Sequence, residues 1–214
     1  MIALTLSFSA LHADEISTDS NTVAGSYAEH ALRENIWEVQ IESGALFDLD
    51  DHDRVTRTIA LPQMISLNWN LDNISNDDVC WGWFRGNTQW KFTAMANPLV
   101  VGSETYFAGF AVGPQYNFVQ PGWNLVPFIS ARVGFGFTDS NSPPWGVFPG
   151  GQGQDFCFDF MVTAGARYFV SDRLSFAGEV NFQHISNAGL SEPHHNNHGY
   201  NLFGPQLSLI YAFN

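Results

Sequence analysis

Leu174-Ser175-Phe176-Ala177-Gly178-Glu179-Val180-Asn181-Phe182-Gln183-His184-Ile185-Ser186 decides how this chain is read. Leu174, Phe176, Val180 and Phe182 recur at a spacing of two, the period that sets side chains on one face of a strand. His184 and Ser186 continue that apolar row. The last segment behaves the same way, with Phe203, Leu207, Leu209, Tyr211 and Phe213 on one face and Asn201 at the head of the row. A hydroxyl, an imidazole and an amide thus end two apolar stripes on consecutive strands.

Working outward, the same alternation recurs along the chain. Trp37, Val39 and Ile41 are separated by Glu38 and Gln40, and Ile59, Leu61, Ile65, Leu67, Trp69 and Leu71 form the next row. Ser43 and Gln63 interrupt these rows with polar groups, and Pro62 withholds a ladder donor. Trp90, Phe92 and Ala94 mark a third strand, the weakest by pattern. Tyr106 to Phe118, Ile129 to Phe137 and Phe156 to Tyr168 supply the fourth, fifth and sixth. Short turns follow Phe118 and Val170, and longer loops lie between the remaining pairs, including a Gly/Pro-rich one from Asp139 to Gln154. No internal repeat or second domain is visible.

Eight alternating strands with short and long connections in turn predict an all-β fold, an eight-stranded antiparallel transmembrane β-barrel over residues 35–214. Closure leaves no sheet edge for lipid to meet. Apolar rows face outward, and Glu38, Glu42, Arg132, Arg167 and Glu179 face a lumen too narrow for anything but packed side chains. Trp37, Trp69, Trp90, Tyr106 and Tyr211 suit an interfacial girdle. A soluble lipid-binding barrel is the competing fold; it would turn the apolar rows inward.

Composition agrees. Charged residues are 14 % of the 214, well below the soluble norm of about 25 %. No run approaches the roughly 18 apolar residues of a membrane helix. With 21 acidic residues against 8 basic ones, nucleic acid is not an expected partner. Residues 1–13 read as an export signal, without a basic start, and 14–34 as a loose polar lead-in. Cys80 and Cys157 fall near opposite ends of the barrel and are read as free thiols. The aspartates from Asp48 to Asp53 lack the glycine and distal glutamate of a calcium loop. The spacing of His194, His195 and His198 matches no standard metal site. No metal or cofactor is expected.

On an outward-facing row, polar side chains are costly and default to function. His184-Ile185-Ser186-Asn187-Ala188-Gly189-Leu190, followed by Asn197-x-Gly199, resembles the signature of the lipid A 3-O-deacylases of the PagL type. The resemblance implies an outer-membrane barrel that removes the ester-linked acyl chain at position 3 of lipid A. Lipopolysaccharide and outer-membrane lipids are then its partners, and homodimerisation is left open. By motif, Ser186 is the nucleophile, His184 the general base, and Gly189 (backbone) and Asn197 (side chain) the oxyanion donors. The usual form of the family has Glu two residues after the motif glycine, where this chain has Asn201. An Asn oxygen can still accept from His184 Nδ1–H, as in Cys-His-Asn enzymes, without adding charge. Asn187 and Glu192 are assigned supporting places. The alternative is a structural or adhesive barrel without chemistry.

Overall fold

A computed structural model describes residues 26–49, 57–75, 82–140, 151–195 and 197–213. Expectations for the export signal, for Asp50, Asp51 and Asp53, and for Cys80 lie outside these residues.

The chain forms a closed antiparallel barrel of eight strands. These are β1 (Trp37–Gly44, continued by Leu46–Asp48), β2 (Ile59–Ala60, continued by Gln63–Asn70), β3 (Gly86–Val101), β4 (Tyr106–Phe118), β5 (Leu125–Thr138), β6 (Phe156–Phe169), β7 (Leu174–Ser186) and β8 (Tyr200–Phe213). Each strand pairs with the next, and β1 pairs with β8 from Trp37 opposite Phe213 to Gly44 opposite Gln206, so no edge remains. Two strands break where their patterns are interrupted, β1 at Ala45 and β2 at Leu61-Pro62. There Leu61 N–H turns to Pro98 O of β3.

The burial pattern is inverted relative to a soluble barrel. Glu38 and Glu42 are fully buried, whereas Ile65, Phe110, Val133 and Leu207 are 60 to 74 % exposed. The apolar rows therefore face outward on every strand, which removes the soluble lipid-binding alternative. Trp37 lies beside Trp69, and Trp69 beside Trp90, on three adjacent strands. Trp37 and Trp69 are stacked at 5.4 Å, an aromatic band at the end of the barrel where β1 begins.

Ion pairs fill the lumen. Arg167 donates to both carboxylate oxygens of Glu38 at 2.8 and 2.9 Å, and its Nε donates to Ser175. Glu42 accepts from Ser66 and pairs with Lys91 at 2.8 Å and with Arg132 at 3.5 Å. Lys91, not included among the expected lumen charges, is the cation closest to Glu42. Breaking such a pair from one side strands a buried charge. Arg167→Met is expected to destabilise the barrel by about 3–5 kcal/mol, read as a lower denaturant midpoint in lipid vesicles. Adding Glu38→Gln should recover part of the loss, and an unchanged midpoint for the single variant would contradict this account.

Two expectations need correction. β3 is the longest strand, not the weakest. Its alternation is muted because Met95 and Leu99 point inward while small Ala94 and Ala96 point out. The lead-in is not loose over residues 26–34. Ser26 and Glu29 form a capping box that starts a short helix, α1 (Tyr27–Ala31). Ala28, Ala31 and Leu32 are buried against Val119, Val126 and Phe169, sealing one end of the barrel. Burial alone would raise the Glu29 pKa, but hydrogen bonds from Ser26 and the Arg85 guanidinium hold it below the ordinary carboxylate range. One turn of helix is too short to show a 3.6-residue period; Ser26-x-x-Glu29 was the available signal.

Helix α1 and the short links after Phe118 and Phe169 lie at one end, together with residues 71–75 and 82–85. β7 runs away from that end, so His184 and Ser186 arrive at the opposite rim.

Candidate active site

The β7–β8 register sets Asn201 directly opposite His184, just above Phe203 opposite Phe182. All four share the outward face. His184 Nδ1 lies 2.7 Å from Asn201 Oδ1. An amide oxygen only accepts, so this contact assigns the proton to Nδ1 and leaves the Nε2 lone pair free to take a proton. Both side chains are half-buried rather than submerged in the barrel wall.

Ser186 is the last residue of β7 and lies on the same face. Beyond it the chain turns through Asn187-Ala188-Gly189-Leu190, closed by Leu190 N–H to Asn187 O at 3.2 Å. Ala188 and Gly189 have φ of +55° and +78°, the left-handed pair of a type I′ turn. For alanine that conformation costs roughly 1–2 kcal/mol. It aims Ala188 N–H back at Ser186 Oγ, 3.2 Å away. Buried Asn187 pins the turn by accepting from Gly189 N–H at 2.9 Å and donating to Ser191 Oγ at 2.8 Å. From the return segment, Asn197 Nδ2 donates to Ser186 Oγ at 3.3 Å.

Gly199 holds these pieces together. A Cβ there would lie 3.1 Å from Ile185 O, 3.2 Å from His184 Cε1 and 3.2 Å from Ser186 Cβ. The imidazole and the serine therefore border one small space, roofed by the Gly199 backbone. Ser186 Oγ bonds to Ala188 and Asn197 in this state rather than to His184; catalytic hydrogen bonds often tighten only with substrate bound. A branched side chain at 199 would drive the pair apart. Gly199→Val is expected to cut turnover about 10²-fold with the barrel still folded, measured by initial rates and heat-modifiable gel mobility. Activity equal to that of the unaltered protein would contradict this placement.

The structure thus brings His184, Ser186, Asn201 and Asn197 together. Gly189 is adjacent, but its N–H is occupied by Asn187, and the backbone donor at Ser186 is Ala188. Sequence spacing offered no signal for Ala188, whose role depends on the handedness of the turn. Glu192 lies on the far side of that turn. Its N–H bonds to Gly189 O, and its carboxylate faces Gly189, while His184 Nδ1 is bonded to Asn201.

The family model "Lipid A 3-O-deacylase (PagL)" matches residues 63–209, from the start of the long segment of β2 through the whole site. The chain belongs to this family. Membership in the PagL family implies a lipid A deacylase class of activity and a bacterial outer-membrane setting. Among solved structures, the outer membrane enzyme PagL superposes with a TM-score of 0.50 at 19 % identity, covering 81 % of this chain and 98 % of that one. Neisserial surface protein A (NspA) superposes with a TM-score of 0.51 at 13 % identity, covering 82 % and 95 %. At those identities the likeness carries the barrel fold alone. No curated protein sequence matches.

Proposed function

We propose that this barrel hydrolyses the ester-linked acyl chain at position 3 of lipid A, with the reaction on its lipid-facing wall. Ser186 Oγ attacks the ester carbonyl as His184 Nε2 takes its proton. The tetrahedral oxyanion accepts hydrogen bonds from Asn197 Nδ2 and Ala188 N–H. Gly189 N–H stays with the Asn187 side chain, which holds the turn that presents Ala188 N–H. His184 then returns the proton to the departing sugar oxygen, leaving an acyl ester on Ser186. Water attacks that ester with His184 again as base, releasing the 3-hydroxy fatty acid and restoring the serine. Asn201 keeps Nδ1 protonated throughout.

One observation carries the reading. A serine, a tautomer-fixed imidazole and two donors converge on the outside of the barrel near one rim, which in this reading is the rim that meets the ester bonds of an outer-leaflet glycolipid. That placement suits a substrate already in the membrane, which needs only lateral diffusion to arrive.

The neutral Asn201 is the feature that favours the other reading, a structural or adhesive barrel. Mass spectrometry of lipid A incubated with the purified, folded protein decides between them. Deacylation predicts loss of one 3-hydroxyacyl chain and release of the matching free acid. Unchanged lipid A in the presence of folded barrel would sink the enzyme reading.

A further inference from the structure

On the lumen side of this site lies a buried side chain that the chemistry above does not use. Gln152 belongs to the β5–β6 loop and is fully buried. Its Nε2 donates to Ile185 O and to His198 O, both at 3.1 Å. Ile185 sits between His184 and Ser186, and His198 between Asn197 and Gly199. One amide group therefore bridges the two backbone segments that carry the base, the nucleophile, the oxyanion donor and the glycine roof. The backbone adds a second tie, His198 N–H to Gly151 O at 3.0 Å.

Gln152 is itself held on its other sides. Its N–H donates to Glu104 Oε1 of the β3–β4 loop at 2.6 Å, and its Oε1 accepts from the Cys157 thiol at 3.6 Å. Gly151 makes the approach feasible, because a Cβ at that position, where φ is +127°, would lie 2.6 Å from Glu104 Oε1. Three loops thus meet on one glutamine directly behind the catalytic face.

We infer that Gln152 is a positioning residue for ester hydrolysis, setting the separation of Ser186 from Asn197 and Gly199 through the Ile185 and His198 carbonyls. This rests on the deacylase reading for its kinetic consequence, but its geometric content stands apart from it. A residue acting this way moves turnover rather than substrate binding, because the lipid contacts the outer wall and not the lumen.

Gln152→Met keeps the length and neutrality of the side chain and deletes its hydrogen bonds; Gln152→Ala is the second variant should the first fail to fold. With the full-length protein in detergent and lipid A as substrate, kcat is expected to fall about 10–100-fold with KM within about twofold. Combined with Asn197→Ala, it should cost little more than Asn197→Ala alone, because both act on the same donor. Amide exchange at His198 should rise by about tenfold or more while the β4 and β5 amides hold steady. Unchanged exchange at His198, or a kcat loss fully additive with Asn197→Ala, would overturn the inference. An unaltered protein that is folded but inactive would sink the deacylase reading instead, and the exchange arm would still decide whether Gln152 positions the segment.

Discussion

Ser186→Ala is expected to lower the initial rate of 3-O-deacylation by about 10⁴–10⁶-fold, the usual cost of deleting a serine nucleophile. The outer rim loses only one oxygen, so the barrel should fold as before and keep its gel mobility. His184→Ala should fall in the same range, since a serine without its base is a poor nucleophile at neutral pH. The double variant should be no worse than either single one, because the two residues act as a unit. The measurement is release of 3-hydroxy fatty acid from lipid A, quantified by mass spectrometry. A Ser186→Ala protein that still releases acid within tenfold of the unaltered rate would remove Ser186 from the chemistry.

The second large effect is at Asn201. Its Oδ1 fixes the imidazole tautomer at 2.7 Å but supplies no charge as His184 becomes imidazolium. Asn201→Leu should cost about 10²–10⁴-fold, since the ring then loses both its orientation and its reason to hold the proton on Nδ1. Asn201→Glu should do the opposite. A charged hydrogen bond is worth about 1 kcal/mol more than a neutral one, which corresponds to roughly a fivefold to tenfold faster reaction. The register supports the exchange, because residue 201 faces His184 directly across the β7–β8 pair. Initial rates for the two variants, taken with the same lipid A preparation, check both directions. An Asn201→Leu protein as active as the original would show that this contact is incidental.

Much of the barrel was legible because its binary pattern is clean. Lipid on one side and packed polar groups on the other force strict alternation, as at Phe176 and Val180 against Ser175 and Glu179. Parity alone put His184, Ser186 and Asn201 on one face, and the outward burial pattern of β7 and β8 agrees. β3 carries a weaker pattern because its inward row turns apolar at Met95 and Leu99. Helix α1 leaves no periodic trace, because a single turn carries no period. What the sequence could not yield are contacts between loops distant along the chain. Gln152 reaches Ile185 and His198 only through the closed rim, and Ala188 becomes a donor to Ser186 only through a left-handed turn. Neither depends on a spacing that can be read off the residues.

The central claim is that Ser186, on the lipid-facing wall, is an activated nucleophile. Treating the folded protein with an alkyl fluorophosphonate and mapping the adduct by peptide mass spectrometry tests it most directly. The account predicts one adduct, on Ser186, formed in step with loss of deacylation and absent in His184→Ala. A protein that continues to deacylate lipid A while Ser186 stays unmodified, or while the adduct sits on another residue, would contradict it.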